Sequence, residues 1–376
     1  MAILSSRYSR NNAPHVKMNG LQAQMKRQID RKVEKGDYRF EAVPCPVCQS
    51  TTFEPIAEQD RYGLHFPVVI CSDCGLVQTN PRMTQASYDE FYNVEYRRLY
   101  EGTPKPTTNS FALQYERGKQ LFHNVAKLFT SPPDDYFVLE VGCGSGGVIK
   151  YFQEQGCVVK GIDLGEEYLV HGRETYGLDL TPGTLADLTL DRAPDLIIYS
   201  HVMEHILDPG AELAQVHQHL APNGLLSIEV PGVRFVQHAY NGDFLRMLQN
   251  AHTYHFTLQS LTNLLQAHGF RRLLGDEMVR AVFTPAGSGA QSETLVNEMD
   301  SISAFLHDVE CEYMLLAGLS QMRAEAYPQA AMIFSQLTEI APADTYAYGC
   351  FAQALRRMGR GDDAQRIEQM ISQVYA

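Results

Sequence analysis

The sequence predicts an α/β protein with a cysteine-rich module ahead of the sheet and an all-helical region after it. Three observations carry this prediction. Residues 136–285 alternate strand-like runs (YFVLEV, CVVKGID, DLIIYS, LLSIEVP) with helical stretches such as AELAQVHQHL and LQSLTNLLQAHG. Such alternation implies a parallel sheet covered on both faces. Two CxxC pairs, Cys45/Cys48 and Cys71/Cys74, stand 22 residues apart. From SISAFLHDV (301–309) onward no strand signal remains. The expected divisions are a basic helical arm (1–40), the cysteine module (41–81), a tyrosine-rich helical segment (82–130), the sheet domain (131–288) and the helical region (289–376).

Composition narrows the function classes. Apolar residues make up 44% and charged residues 20% of 376, an ordinary globular balance. No apolar run approaches the roughly 20 residues that a membrane span needs. The start, MAILSSRYSRNNAPH, has no secretory h-region, so a cytoplasmic location is expected. The net charge is −13, and residues 1–40 hold nine Lys or Arg against three Asp or Glu. The acidic body argues against duplex nucleic acid as the main ligand, because phosphate neutralisation dominates such binding.

The arm comes first. In LQAQMKRQIDRKVEKG, Leu21, Met25, Ile29 and Val33 recur every four residues and Gly36 follows. That is one apolar stripe on a charged helix with a glycine stop. The four grouped cysteines read differently from Cys143, Cys157, Cys311 and Cys350, which sit in apolar or helical contexts and pack as small hydrophobes. Two thiolates from each of two tight turns complete a closed tetrahedral Zn²⁺ site, which is structural, not catalytic. A module this short has little core, so metal binding supplies its folding free energy. Next, Tyr88, Tyr92, Tyr96 and Tyr100 recur every four residues. They line one face of an unbroken helix, either as packing between modules or as a lid whose phenols reach the active site.

The helical end carries half of a repeat pattern. Gly318 stands where a first helix packs closely, and Ala330, Phe334, Leu337 and Pro342 follow in tetratricopeptide spacing. A shift of 34 residues brings Ala330 onto Ala364, although Glu368 falls where an apolar residue is expected. Two repeats are too few to bury a solenoid core alone. The helices therefore lean on the catalytic body, on a second subunit as a homodimer, or on a protein partner.

VLEVGCGSGGVIKYF (138–152) reads as strand, glycine turn and helix start. Gly142, Gly144 and Gly146 remove side chains where a ligand approaches backbone, and the helix start offers free N–H groups. The string also satisfies GxGxxG through Gly142, Gly144 and Gly147, so a dinucleotide enzyme must be weighed. Asp163 closes the next strand, 21 residues after Gly142, where a carboxylate accepts from ribose hydroxyls. Glu140 inside the first strand, a single sheet instead of two paired halves, and DLIIYSHVMEHILDP at the fourth strand separate the two readings.

Together, E-V-G-C-G-S-G, the Asp163 strand end and D-L-I-I-Y-S-H-V-M-E-H resemble the class I S-adenosylmethionine-dependent methyltransferases, which are Rossmann-like. CPVC…CSDCGLVQTNPR…FYNVEYR is similar to the subgroup with an N-terminal zinc ribbon, including sugar C-methyltransferases and enzymes of surface-polysaccharide and natural-product pathways. The resemblance covers about residues 41–285. It implies S-adenosyl-L-methionine and a structural Zn²⁺ on Cys45, Cys48, Cys71 and Cys74. It places the turn of Gly142, Cys143, Gly144 and Gly146 along the methionine moiety, with Glu140 supporting it. Asp163 would hold the ribose, Leu164 would pack on adenine, and Thr184 and Leu185 would border the adenine edge. Thr184 replaces a common Asp there, so a backbone contact would have to serve.

HVMEH (201–205) also spells an inverted zinc-peptidase motif. Its position after a sheet strand argues against the peptidase, and the resemblance implies that the segment lies at the mouth of the cofactor pocket, with His201 at the methyl-donor end and Glu204 and His205 opening the next helix. QNAHTYHFT (249–257) is the second active-site strip, where His252 aligns with the family's proposed base. Two departures weaken sugar C-methylation: Gln249 and Ala251 replace a Tyr and a Glu, and helices replace the family's C-terminal domain. The expected function is methyl transfer to a small polar acceptor, with His252 and then His205 as general base. A divalent cation held by His201, Glu204, His205 and a later histidine is the alternative. A non-catalytic scaffold recruiting a partner through its repeats is the reading from another class.

Overall fold

A computed structural model describes residues 3–102, 108–287 and 294–374. The expected boundary at 288/289 lies outside them. The stripe on residues 20–35 folds as helix α1 (Gly20–Lys35), capped by Asn19 and stopped by Gly36 in the left-handed conformation. Met25 and Ile29 bury against Tyr38, Tyr88, Phe91 and Leu99. A short strand, β1 (Phe40–Glu41), then leads into the cysteine module. The module itself folds as β2 (Phe53–Gln59), β3 (His65–Cys71) and β4 (Val77–Thr79), and β5 (Arg82–Met83) returns to pair with β1.

The tyrosine segment is two helices, α2 (Gln85–Val94) and α3 (Tyr96–Tyr100), not one. They part at Glu95, which turns inward and is fully buried. There it accepts from Lys32 Nζ at 2.6 Å and from the Tyr38 hydroxyl at 2.7 Å. The break leaves the ladder in contact, because the rings of Tyr92 and Tyr96 lie 4.8 Å apart and those of Tyr96 and Tyr100 5.1 Å. Helix α4 (Thr108–Val125) then packs along the sheet domain.

That domain is built from β6 (Phe137–Val141), α5 (Gly147–Glu154), β7 (Val158–Asp163), α6 (Glu166–Tyr176), β8 (Leu180–Pro182), β9 (Leu196–Ser200), α7 (Pro209–His219) and β10 (Leu225–Glu229). Two short helices, α8 (Val236–Ala239) and α9 (Phe244–Met247), precede β11 (Tyr254–His255), α10 (Leu258–Ala267), β12 (Phe270–Gly275) and β13 (Arg280–Pro285). The seven strands run in the order β12-β13-β10-β9-β6-β7-β8. Contrary to the expectation of a wholly parallel sheet, β13 is antiparallel to both its neighbours. Only Asp276–Val279 separate β12 from β13, and so short a turn forces an antiparallel pair.

The cysteine module is not a separate bead. Strand β11 leaves the sheet domain to pair with β4, completing a four-stranded sheet β11-β4-β3-β2. The segment 249–257 is thereby fastened to the cysteine module.

Four helices end the chain: α11 (Met299–Arg323), α12 (Tyr327–Ile340), α13 (Thr345–Arg357) and α14 (Gly361–Val374). The first half of α11 buries Ile302, Leu306 and Val309 with Ile56, Phe66, Val68 and Phe244. Its second half presents Gly318 to Phe334, where a Cβ would lie 2.4 Å from the ring. Glu310, midway, is fully buried and takes Arg7 and Tyr8 of the N-terminal segment, with Arg7 Nη2 at 2.9 Å and the Tyr8 hydroxyl at 3.1 Å. Among the described residues no helix is long and apolar enough to cross a membrane.

Candidate active site

Strand β6 is buried along its whole length and delivers the chain to the carboxyl edge of the sheet. There the turn bends through Gly142, Gly144 and Gly146, all at positive φ. A Cβ on Gly142 would lie 2.4 Å from Val202 Cγ2, so packing demands glycine there. At Gly144 the nearest atom to such a Cβ is Gln114 Nε2 at 3.3 Å. Glycine is favoured here as well, by the left-handed φ of 55° and by the close Gln114 side chain. Cys143 is buried beneath the turn. Glu140 is buried too, with Oε2 lacking a partner, and burial pushes its carboxyl up to about 8.

Asp163, at the tip of β7, faces this turn. Its carboxylate accepts from Gly144 N at 2.9 Å and Gly165 N at 2.6 Å, and Arg97 Nη2 lies 3.6 Å away. A carboxylate has about four acceptor positions, so capacity remains for hydroxyl donors. Arg97 also stacks over the Tyr168 ring at 3.6 Å. Leu164 next door is 76% exposed. Thr184 is held by Asp187, which accepts from its hydroxyl at 2.6 Å, and Leu185 is buried.

HVMEH follows β9. His201 adopts φ 57°, donates its backbone N–H to Glu229 O at 2.7 Å, and stands half-buried between two carboxylates. Its Nδ1 is 3.5 Å from Glu204 Oε1 and its Nε2 3.6 Å from Glu229 Oε1. Burial opposes charge on this ring, yet the carboxylates outweigh it and lift the imidazole to about 9. Glu204 and His205 do not open a helix as expected; they lie in a 3₁₀ turn, Met203–His205. Helix α7 starts later because Asp208 caps it and Pro209 holds its first position. The zinc-peptidase spacing, which needs a helix, is thereby removed.

His252 comes from the distant strip to meet this turn. It is buried, not a surface histidine, and its Nε2 is 3.9 Å from Glu204 Oε1. The rings of His205 and His252 lie 4.8 Å apart. Burial pushes both imidazoles below the ordinary histidine range. The tyrosine ladder closes the cluster from outside. Tyr92 places its hydroxyl 3.0 Å from His205 Nδ1, Tyr88 donates to Asn250 O at 3.2 Å, and Tyr100 accepts from Ala251 N at 3.1 Å.

The structure therefore brings His201, Glu204, His205 and His252 together, and sets Glu140, Gly142, Cys143, Gly144, Gly146 and Asp163 around the neighbouring turn. Leu164 and Thr184 are exposed beyond Asp163, and Leu185 packs into the main core. Sequence reasoning missed Arg97, Arg117 and Glu229. Glu229 had a signal, since it ends a parallel strand level with Ser200; Arg117 lies 3.3 Å from it on α4. In the cysteine module, Cys45 and Cys74 Sγ are 3.5 Å apart and Cys48 and Cys71 Sγ 3.4 Å, and all four converge within 4.8 Å.

A family model described as a methyltransferase domain matches residues 113–273. Residues 113–273 form a methyltransferase domain. The chain is similar to ubiquinone biosynthesis O-methyltransferase of Vibrio atlanticus, 32% identical over 94 residues, 23% of this chain and 40% of that protein. It is also similar to malonyl-[acyl-carrier protein] O-methyltransferase of Enterobacter lignolyticus, 27% identical over 92 residues, 24% of this chain and 37% of that protein. The match thus spans about two fifths of these relatives. Among solved structures, 1,6-didemethyltoxoflavin-N1-methyltransferase of Burkholderia thailandensis is 17% identical, with a TM-score of 0.41 over 62% of this chain and all of that one.

Proposed function

We propose that the protein transfers the methyl group of S-adenosylmethionine to a hydroxyl of a small polar acceptor. The observation that carries this reading is the left-handed glycine turn after β6, whose Gly144 amide donates to the Asp163 carboxylate at 2.9 Å. These residues suit the cofactor: the glycine turn would take a methionine chain, Asp163 would accept from ribose hydroxyls, and the unpartnered Glu140 oxygen would accept a donor beneath the turn. When bound, the cofactor would supply an electrophilic methyl group on a sulfonium, whose sulfur would be left as a neutral thioether.

The chain's own residues then have two tasks. They hold the acceptor in line with the methyl–sulfur bond and exclude water, and they take the hydroxyl proton. Glu229, His201 and Arg117 surround the first position. His252, backed by His205 and Glu204, is the destination of the proton. The tyrosine ladder supports this as a cover over the cluster. Relatives named as O-methyltransferases favour oxygen as the methylated atom.

The four cysteines suit a structural Zn²⁺, because tetrahedral Zn–thiolate bonds set sulfurs about 3.8 Å apart. We further propose that α11–α14 pack in tetratricopeptide-like fashion, supported by the Gly318–Phe334 contact and by burial of Ala330 and Ala364. A small-molecule acceptor, not nucleic acid, fits the acidic body, and a location in the cytoplasm is proposed with it.

Replacing His252 with alanine is expected to cut turnover at least a hundredfold, with affinity for S-adenosylmethionine nearly unchanged. An acceptor screen reading S-adenosylhomocysteine release measures the first and calorimetry the second. Unchanged turnover removes His252 from the reaction.

A further inference from the structure

We propose that Arg61 selects the acceptor by taking an anionic group on it, a carboxylate or a phosphate, and that Gln249 then releases His252. Arg61 lies in the turn between β2 and β3 and faces the strip that carries His252. Its backbone N–H donates to Leu248 O at 3.1 Å, Nη1 donates to Arg246 O at 3.3 Å, and Nη2 to Gln249 Oε1 at 2.6 Å. The guanidinium carbon stands 5.1 Å from the centre of the Tyr62 ring and 5.5 Å from that of Tyr100. These contacts fix the group, yet both of its acceptors are neutral. Among the described residues no carboxylate forms an ion pair with it. Asp60 next door does not serve. It is fully buried and accepts from Tyr62 N at 2.8 Å, Leu64 N at 2.9 Å and Asn250 N at 3.1 Å. A guanidinium has five N–H donors in a planar fork, so capacity remains for an anion.

The guanidinium also borders the reacting cluster. Burial raises the Tyr240 phenol, Arg61 opposes that rise and Glu204 adds to it, so both charges act on one side chain. Because Arg61 holds the Gln249 oxygen, the Gln249 NH₂ meets His252 Nε2. An amide NH₂ only donates, so Nε2 accepts and the imidazole proton sits on Nδ1. In this state Nε2, 3.9 Å from Glu204 Oε1, is capped by Gln249.

An anion on Arg61 competes with the Gln249 oxygen for the same donors, and a charged acceptor makes the stronger hydrogen bond. Gln249 then loses its anchor, Nε2 is uncovered, and the acceptor hydroxyl gives its proton to it. Burial, then the His205 and His255 imidazoles, then Arg61 hold His252 well below the ordinary range. Neutralising Arg61 relieves part of that depression, which is the direction a base needs. Arg61 and Gln249 are thus positioning residues that couple acceptor charge to the freedom of His252. This deepens the methyl-transfer reading and rests on it for its role. Gln249 is one of the two departures from the resembling family, so the latch belongs to this chain's own sequence.

S-adenosylhomocysteine release by the full-length protein tests the proposal, using hydroxycarboxylic acids and phosphorylated alcohols, each paired with its neutral ester or alcohol. The expected result is turnover with the anionic members only. Arg61→Ala should raise the KM of the best anionic acceptor about a hundredfold, with calorimetric affinity for S-adenosylmethionine unchanged. Arg61→Lys should recover part of the loss. Gln249→Ala should turn over the neutral partners as well, which loss of a merely structural contact would not bring about. A neutral compound as the best acceptor overturns the proposal, and so does an unchanged KM in Arg61→Ala. Continued rejection of the neutral partners by Gln249→Ala overturns the latch. If S-adenosylmethionine binds and no compound releases S-adenosylhomocysteine, that counts against the methyl-transfer reading alone. Inorganic phosphate, titrated by phosphorus NMR, then reads the Arg61 site by itself. Phosphate binding that weakens about tenfold in Arg61→Ala supports the site; no binding, or equal binding in both proteins, overturns it.

Discussion

Cys71→Ser is expected to lose the proposed zinc, lower the melting temperature by roughly 10 °C and abolish the proposed methyl transfer. Cys71 ends β3, the inner strand that joins β2 to β4, and β4 in turn carries β11. Thr79 of β4 donates its backbone N–H to Thr253 O at 2.9 Å and its hydroxyl to His252 O at 3.0 Å. Loosening the cysteine module thus lets His252 drift from Glu204 even though neither touches a cysteine. A structural zinc contributes folding free energy directly. Loss of about 4 kcal/mol translates to the stated shift at roughly 2–4 °C per kcal/mol for domains of this size. Elemental analysis, a thermal scan and S-adenosylhomocysteine release check the three effects. Zinc-free protein with unaltered melting and turnover would show that the strip does not depend on the ribbon.

Asp163→Ala is expected to weaken S-adenosylmethionine binding by about a hundredfold. Hydrogen bonds to a charged group contribute about 1.5–3 kcal/mol each, and this carboxylate is asked to accept from the ribose while holding the Gly144 and Gly165 amides. The fold should persist, because Asp163 stands at the strand tip while the apolar residues below it, such as Ile162, remain buried. Calorimetric titration reads the affinity. Full affinity in this variant would mean that the ribose is held elsewhere.

Much of this was legible because certain conformations leave marks in sequence. Three glycines at positive φ after a buried strand, an acid at the next strand end, and a four-residue apolar stripe closed by Gly36 each have few physical explanations. The paired CxxC turns are equally restrictive. What stayed hidden depends on contacts between distant residues. Nothing local to TYHFT says that two of its residues join β4, or that His252 will face a carboxylate 48 positions earlier. The helix break at Glu95 follows from a partner on α1, Lys32, and the four-residue tyrosine spacing gives no hint of it. Arg97 carries no signal because its role arises only when α3 folds over Asp163.

A crystal structure of the protein with S-adenosylhomocysteine tests the central claim most directly. The account predicts the ribose hydroxyls on the Asp163 carboxylate and the amino-acid chain running past Gly144, with the sulfur toward His201. A crevice left empty under saturating ligand, or a ligand bound away from Gly144 and Asp163, would contradict it.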